Sequence, residues 1–578
     1  MPIDLTKVST CKIHPAIGIA RVGDHPTESF IGPEIPGRFD APAGGYKAKH
    51  PQTSLPAIKR QGARFRVFAY DHSGSPLGEL SVAEANITWR VHLANAKAEW
   101  DVFEGRAGEE LPLNQRRPHK QRNPGITDRK SLIIDGGERT VTRGQNASFD
   151  QGKFQNKPVP LGELRCGDDG RLVVLGGLGK SETLTGSRIV QYANNDGWHD
   201  DVSDGSVRAS VALKNGAVLE AAPAWVIVAP PDFAPPIGNV VTLWDLMLDV
   251  ATTRGVLTLP PTPSFTQEIY PVLNRAMTHQ WVNDIGALGH GPGKGGDFST
   301  QWQTLNKSDS LNKHARDVIF GKLRNPHILD KVVHNTATPQ EQNEAKLQAS
   351  RSFMPSLSGD SGDAQAHIPD TWMTLTKRQY DIMSLWRDGT FASDWTGVPP
   401  VPPPDITAEG LDMAALENSA GGPLFPGIEC GWIARKAEIY VAGEIARLDQ
   451  TKVSPGDLTK RMAVPWQADF FECNTHWWPS QRPDQVFGET DFVALMKLDT
   501  QISHAAPGSP QRGDLEAQRA DLLTHRKAWW PKTWPQNNGG PPQEGDEAMV
   551  KRWPKLGYVV PKQSASGIAY VSTEEVRP

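Results

Sequence analysis

Between residues 60 and 230 the apolar side chains recur in short runs. ARFRVFAY (Ala63–Tyr70), ITWRVHLA (Ile87–Ala94), RKSLIIDG (Arg129–Gly136), GRLVVLGG (Gly170–Gly177) and AWVIVAP (Ala224–Pro230) alternate or are β-branched, and Gly or Pro bounds them. Such runs predict strands separated by turns. No helical stretch of the length a βαβ crossover needs lies between them, so residues 1–260 are expected to form antiparallel sheets in a sandwich-like, β-rich scaffold. From 261 to 397 the spacing changes. LNKHARDVIFGKLR (Leu311–Arg324) and TLTKRQYDIMSLWRDG (Thr374–Gly389) place apolar residues three and four apart, which predicts helices, the second opening near Thr376 and stopping at Gly389. SGDSGDAQAHIPD (Ser358–Asp370) reads as a loop between them. The run VPPVPPPD (Val398–Asp405) then predicts a semi-rigid break before an irregular region rich in Pro and Trp, residues 398–578. The fold class expected is α+β.

Composition narrows the function. A chain of 578 residues with 38% hydrophobic side chains can bury a real core, and 61 basic against 66 acidic residues give a formal charge of −5. No basic run is interleaved with aromatics, so nucleic acid is not an expected partner. Neither an apolar leader core nor a membrane-length apolar run is present. The expectation is cytoplasmic synthesis without a signal peptide or membrane anchor, a non-classical export route being left open. The 48 prolines and 54 glycines predict many turns, and most of the 18 tryptophans are expected in packing roles. Four cysteines, at 11, 166, 430 and 473, form no CxxC pair and no disulfide framework.

The chemistry concentrates in PWQADFFECNTHWWPSQRPD (Pro465–Asp484). Asp469 precedes Cys473 by four residues, one helical turn, so a carboxylate able to accept a proton lies beside a thiol. Cys430 competes, but position 426 holds Pro where an acid would be needed, and its adjacent Glu429 offers a different geometry. A buried, inert thiol is its other reading, and Cys11 and Cys166 are expected to be structural. Two further segments invite binding roles. GGLGKSET (Gly176–Thr183) follows a strand and contains Gly-Lys-Ser, but Val174 stands where a phosphate loop needs its first glycine. NNDGWHDDVSDG (Asn194–Gly205) carries Asp196, Asp200, Asp201 and Asp204. These carboxylates could hold Ca²⁺, cap backbone amides in a turn-rich connection (the reading preferred), or bring His199 and Trp198 to a substrate. No metal centre is expected.

Pro465-Trp466-Gln467-Ala468-Asp469 with Cys473 and Trp477-Trp478-Pro479 resembles the active-site segment of the LodA-like amino-acid oxidases, which include lysine ε-oxidase and glycine oxidase. HPAIGIARVG (His14–Gly23), LANAKAEW (Leu93–Trp100), LGELR (Leu161–Arg165), the Asn194–Gly205 segment, VIVAPPDFAP (Val226–Pro235), FPGIE (Phe425–Glu429) and WPKLGYVV (Trp553–Val560) extend the likeness along nearly the whole chain. The resemblance implies cysteine tryptophylquinone, a cofactor built from the chain's own cysteine and a doubly oxygenated tryptophan. It implies Cys473 as the cysteine and Trp553 as the tryptophan, with Trp529, Trp530 and Trp534 as alternatives. It also implies a flavoprotein partner for maturation and a homo-oligomer.

In such an enzyme an amino acid's primary amine forms a Schiff base on the quinone, a base removes the α-proton, and O₂ reoxidises the ring with release of H₂O₂ and NH₃. Asp469 is the candidate base, its pKa expected to rise through desolvation by Trp466, Phe470 and Phe471; the resemblance assigns it to cofactor formation as well. His476 and His504 are candidates for acid-base or gating roles, and Arg482 for gripping a substrate carboxylate or pairing with Asp484. Two alternatives stay open: a quinone amine dehydrogenase feeding a redox partner, and a non-enzymatic β-rich binding protein with an unmodified Cys473. Which amino acid is oxidised is not legible, because pocket volume leaves no motif.

Overall fold

A computed structural model of the chain describes residues 3–100, 121–473, 476–530, 533–534 and 543–573; the side chains of Glu472, Thr533, Trp534, Gln543 and Glu544 lie outside the description. The chain divides into two compact units, one made of residues 1–231, 242–258 and 401–469, the other of residues 232–241, 259–400 and 470–578. The chain passes from one to the other inside the Pro-rich run at 398–405 and again within the helix Trp466–Glu472.

A 13-stranded sheet organises the first unit. Its spine runs through Leu172–Gly176, Arg60–Tyr70, Ile17–Arg21, Ala224–Ala229, Ser203–Leu213 and Ala85–Asn95. The 11-residue strand Arg60–Tyr70 changes partners half-way: residues 62–65 pair with Leu172–Gly176, residues 66–70 with Thr10–His14. The β-rich scaffold expected from the alternating runs is present. Two pairings depart from the antiparallel expectation, because Ile17–Arg21 runs parallel to Ala224–Ala229, and Ser29–Ile31 parallel to Arg60–Tyr70. The reason for the first is legible in burial: both strands are buried at every position, as parallel strands covered on both faces are.

Two expected boundaries also move. In RKSLIIDG only Ile134 onward is strand, and Arg129–Leu132 forms a 3₁₀ turn. The Arg129 guanidinium holds that turn by donating to the carbonyls of Glu99, Arg122 and Asn123. Leu243–Thr253, inside the region read as strands, is an α-helix. Thr242 and Asp245 close a capping box at its start, and Leu243, Leu246, Met247 and Val250 form its buried stripe. That stripe packs with Ile17, Ile19, Trp225 and Ile227 of the sheet and with Leu416, Leu424, Cys430 and Leu458 in one apolar core.

The second unit is mainly helical. Thr376 caps Lys377–Arg387 in a capping box with Gln379, and Gly389 follows the helix with φ +81°, the left-handed stop its sequence predicted. Lys313–Phe320 ends at Gly321. These helices bury Phe265, Phe320, Met383, Trp386 and Trp395 together. Farther along, Gln485–Gly488, Lys527–Ala528, Val559–Ser564 and Gly567–Ser572 make a four-stranded sheet.

At the centre of the first unit lies an ion pair with no exposed side-chain surface on either partner. Lys97 Nζ donates to Asp200 Oδ2 at 2.8 Å and to the Ala463 carbonyl at 2.8 Å. Asp200 also accepts from Asn95 Nδ2 at 3.0 Å and from the Trp466 amide at 3.0 Å. Burial pulls the Lys97 pKa down, and the Asp200 charge opposes it. Removing one partner of such a pair strands the other charge in the interior. Lys97→Met is therefore expected to lower unfolding stability by about 3–5 kcal/mol. Lys97→Met combined with Asp200→Asn, which leaves a neutral acceptor for the Trp466 amide, should recover at least half of that loss in denaturant titrations. A double variant no more stable than the single one would show that the charge is not what Lys97 compensates.

Candidate active site

The helix Trp466–Glu472 begins where Asp200 receives the Trp466 amide, and its next residue is anchored twice. Gln467 Nε2 donates to the Gly179 carbonyl at 3.1 Å, and Ser181 Oγ donates to Gln467 Oε1 at 2.6 Å. Trp466, Gln467, Ala468, Asp469 and Phe470 are all buried, and Cys473 follows the helix directly, only 7% exposed. Asp469 lies within this helix, four residues ahead of Cys473, and both are buried.

After Cys473 the backbone is strained. His476 and Trp478 adopt φ +67° and +42°, a region that costs a non-glycine residue roughly 1–3 kcal/mol and needs surrounding bonds to hold it. Those bonds are present. The Ser358 amide donates to the His476 carbonyl at 2.9 Å, Trp477 Nε1 donates to Asp363 at 2.7 Å, and the Trp477 and Trp478 rings lie 5.2 Å apart. Arg482, with no exposed surface, lies 5.5 Å over Trp478 and donates to the Phe470 carbonyl at 3.4 Å, adding positive charge at the helix's carbonyl end. This places Arg482 as a support of the helix.

Phe233, within VIVAPPDFAP, ties this segment to the one that carries Trp553. The Phe233 amide donates to the Gln481 carbonyl at 2.8 Å, and its carbonyl accepts from the Val559 amide at 2.8 Å. Its ring meets Phe470 at 6.3 Å, Trp529 at 5.0 Å and Tyr558 at 5.0 Å. Trp553 opens a 3₁₀ turn, Trp553–Lys555, directly after the helix Gly545–Arg552 and is 3% exposed. That helix starts against Phe471: at Gly545, φ +56°, a Cβ would stand 2.5 Å from the Phe471 ring, so only glycine fits. One end of the Trp553 segment thus abuts Phe471, and the other is joined through Phe233 to Phe470 and Gln481. Trp529 is engaged otherwise, its Nε1 donating to the Gly557 carbonyl at 2.9 Å and its ring edge-on to Phe233. Trp530 is buried, and the Trp534 side chain lies outside the described residues.

The remaining candidates separate. Cys430 belongs to the apolar core of the first unit, where burial raises its thiol pKa far above the ordinary value; burial likewise pushes Cys11 and Cys166 up to about 11. Glu429 is committed to Arg21 at 2.8 Å, fully buried. His504 is exposed at the last position of the helix Glu489–His504. Asp196, Asp200, Asp201 and Asp204 face different partners. Asp196 accepts from the Asn123 amide, Asp201 from the Lys180 amide, and Asp204 from the Gly456 and Thr459 amides and Trp225 Nε1. They cap backbone amides, but of distant segments rather than of their own turn. Much of the segment is strand, Trp198–Asp200 and Ser203–Leu213, not loop. GGLGKSET likewise runs into a strand, Ser181–Thr183, where a phosphate loop would open a helix.

His199 stacks on Phe154 at 4.8 Å and lines a cavity of about 330 Å³ with Asp201, Arg60, Glu163 and Lys180. His199 Nδ1 and Asp201 Oδ1 are buried there without hydrogen-bond partners among the described residues. Burial pulls the imidazole down to about 4 and pushes the Asp201 carboxyl up to about 7, the Lys180 amide opposing the latter. The structure also gathers a triad that sequence spacing does not reveal: ligand atoms of Asp284, His476 and Asp484 lie within 4.8 Å of one another. Burial lowers the His476 pKa and, with the Asp284 charge, raises that of Asp484.

Residues 14–228 match the family model "L-Lysine epsilon oxidase N-terminal", and residues 355–492 match "L-lysine epsilon oxidase C-terminal domain". The chain belongs to the LodA family. Within it, L-lysine 6-oxidase of Marinomonas mediterranea is 29% identical over 540 residues, spanning 80% of this chain and 70% of the relative. Two crystal structures of the L-Lys ε-oxidase from the same organism share the fold. The Schiff base intermediate with L-Lys gives a TM-score of 0.70 and the enzyme without that designation 0.68, each at 23% identity over 98% of this chain and 95% of the other. Phe233, Lys97 and Asp284 had no assigned role in the sequence. Phe233 and Lys97 stand in segments carrying the family likeness, whereas nothing local marks Asp284.

The Asp201 environment sets a pH signature. A carboxyl raised from the ordinary carboxylate range to about 7 in the folded state contributes stability that is present below pH ~4 and lost as pH rises through ~7. Asp201→Asn should then melt slightly above the parent protein at about pH 5 and several degrees further above it at about pH 8.5. Equal differences at both pH values would show that the buried carboxyl does not titrate in this window.

Proposed function

We propose that the protein is an amino-acid oxidase that deaminates a primary amine oxidatively, consuming O₂ and water and releasing an oxo product, NH₃ and H₂O₂. The arrangement that carries this reading is Asp469 one turn before a buried Cys473, with the flanking residues of both Cys473 and Trp553 packed on Phe233. Cys473 and Trp553 fit the two halves of cysteine tryptophylquinone: both are buried, each leaves the end of a short helix, and Gly545 admits the Phe471 ring between their segments. Joined and oxygenated, that pair would supply an electrophilic carbonyl that takes two electrons from the amine and yields them to O₂.

Asp469 is the proton acceptor. Its carboxylate, 3% exposed, can take the thiol proton of Cys473 during maturation and a proton from the amine-bearing carbon during turnover. Arg482 and the Gln467 bonds keep that helix from shifting, which matters because a displacement near 1 Å costs a positioned base roughly 10²-fold in rate. The cavity beside His199 is the proposed substrate pocket. It offers the Asp201 carboxyl and the Lys180 ammonium beside the Arg60–Glu163 ion pair of 2.6 Å, and its Gly179–Ser181 wall is bonded to Gln467, two residues from Asp469. Oxygenation of Trp553 is assigned to a flavoprotein partner, and assembly to a homo-oligomer.

Protein co-produced with that partner should yield a joined Cys473–Trp553 peptide about 28 Da heavier than the two unmodified peptides, two oxygens gained and four hydrogens lost. An alkylatable Cys473 in fully active protein would sink the assignment, and a link to Trp529 or Trp530 would move only its second half. Amine-dependent reduction of a dye without O₂ uptake would favour a dehydrogenase instead.

Asp469→Asn keeps shape but cannot accept a proton. It should fold, lack the quinone absorption or hold a partly processed tryptophan, and lose about 10²- to 10⁴-fold in peroxide formation, or roughly 3–5 kcal/mol of barrier. Cys430→Ala should keep both colour and rate. A full quinone spectrum with near-normal turnover in Asp469→Asn would remove Asp469 from both roles.

A further inference from the structure

We propose that Asp284, His476 and Asp484 form a binding site for one first-row divalent cation of the Zn²⁺ or Mn²⁺ class. Three observations converge on it. The ligand atoms, two carboxylate oxygens and one imidazole nitrogen, lie within 4.8 Å of one another. Two atoms bonded to a shared ion at about 2.1 Å are separated by about 3.0–4.2 Å, and His476 Nδ1 stands 3.8 Å from Asp284 Oδ1. That spacing is too long for a hydrogen bond and matches a pair bridged by one ion. His476 Nδ1 is, moreover, buried without a hydrogen-bond partner among the described residues, although it is a strong donor or acceptor. A bound cation would satisfy it.

The set is preorganised. Asp484 is held through its backbone by the Val282 carbonyl at 3.0 Å and the Trp529 amide at 2.9 Å. Its side-chain oxygens each take one N–H, from the Asp284 amide at 3.2 Å and Asn283 Nδ2 at 3.4 Å, which orients them and leaves lone pairs free. Asp284 Oδ1 accepts from the Ile285 amide at 2.6 Å, and the His476 carbonyl is fixed by the Ser358 amide at 2.9 Å. One imidazole with two carboxylates favours Zn²⁺, Mn²⁺ or Fe²⁺ over Ca²⁺ or Mg²⁺, which prefer oxygen alone. Asp284 is half exposed, so an ion can enter from solvent and keep water ligands. The ion would lock His476, three residues beyond Cys473, in its left-handed backbone conformation, and so help hold the turn that follows the thiol.

The test uses the mature full-length chain, stripped with EDTA and dialysed, titrated with Zn²⁺ in a calorimeter and with Co²⁺ in a spectrophotometer. One Zn²⁺ per chain, a 1:1 Co²⁺ complex with d–d bands, and a rise in melting temperature with Zn²⁺ are expected. Asp284→Asn should weaken Zn²⁺ at least tenfold, while Asp297→Asn, outside the triad, should not change it. Circular dichroism checks that Asp284→Asn is folded; if it is not, the Co²⁺ spectrum of the parent protein still decides. Absence of a 1:1 Co²⁺ complex, or Zn²⁺ binding that Asp284→Asn leaves intact, would overturn the site. Peroxide formation plays no part in the readout, so failure here leaves the oxidase reading standing.

Discussion

The buried Lys97–Asp200 pair is the constraint on which the site's geometry rests. Asp200 ends the strand Trp198–Asp200, Lys97 lies two residues beyond the strand Ala85–Asn95, and their bonds reach the Ala463 carbonyl and the Trp466 amide. Two elements far apart in sequence therefore converge on the first residue of the helix that leads to Cys473. A buried ion pair is weak evidence for stability compared with well-packed apolar groups. Its value here is directional: the ammonium and the carboxylate have few satisfactory arrangements in a dry interior, so they fix where the helix begins in a way that apolar contacts alone would not. Gln467, bonded on both sides to the Gly179–Ser181 segment, fixes its rotation.

On the far side of Cys473 the constraint is conformational. Left-handed backbone at His476 and Trp478 is tolerated only because Ser358, Asp363 and Arg482 over-determine the turn. Phe233 connects that turn to the Trp553 segment through both of its backbone groups and its ring. On the proposed cofactor assignment, two side chains would have to meet before any bond joins them, and the fold itself would supply the encounter. Backbone bonds to one residue are a robust way to do so, since they tolerate changes in the side chains around them.

Period-two runs and helical spacing made the β-rich beginning, the helical middle and the ends of Lys377–Arg387 legible, because each signal is local. The four-residue spacing of Asp469 and Cys473 is a local signal of the same kind, and the helix Trp466–Glu472 covers the first of the two. What the chain did not disclose is non-local. The parallel pairing of Ile17–Arg21 with Ala224–Ala229 depends on which strands end up covered on both faces, and the Leu243–Thr253 helix shows its stripe only once its capping box is recognised. The commitment of Arg482 to the Phe470 carbonyl, of Glu429 to Arg21, and the meeting of Asp284 with His476 join residues whose sequence separation carries no spacing rule. The acidic segment Asn194–Gly205 shows the limit well. Its four aspartates look like one ligand set, yet each is spent on a separate amide or cation, so charge density alone misreads it.

A thioether between Cys473 and Trp553 would also act on the unfolded chain. It would close a loop of about 80 residues, which on chain-entropy grounds disfavours the unfolded state by about 4–5 kcal/mol, a figure carried over from disulfides of similar span. That is comparable with the cost of the whole strained and charged apparatus around the site: two left-handed residues at roughly 1–3 kcal/mol each and a buried ion pair that contributes little net stability. On the proposed assignment the precursor would have to hold this arrangement without the link, since a bond between two side chains can form only once the fold has brought them together. The fold would then have to be stable before its cofactor is built, and the link would afterwards offset much of what the site's strain and buried charge subtract.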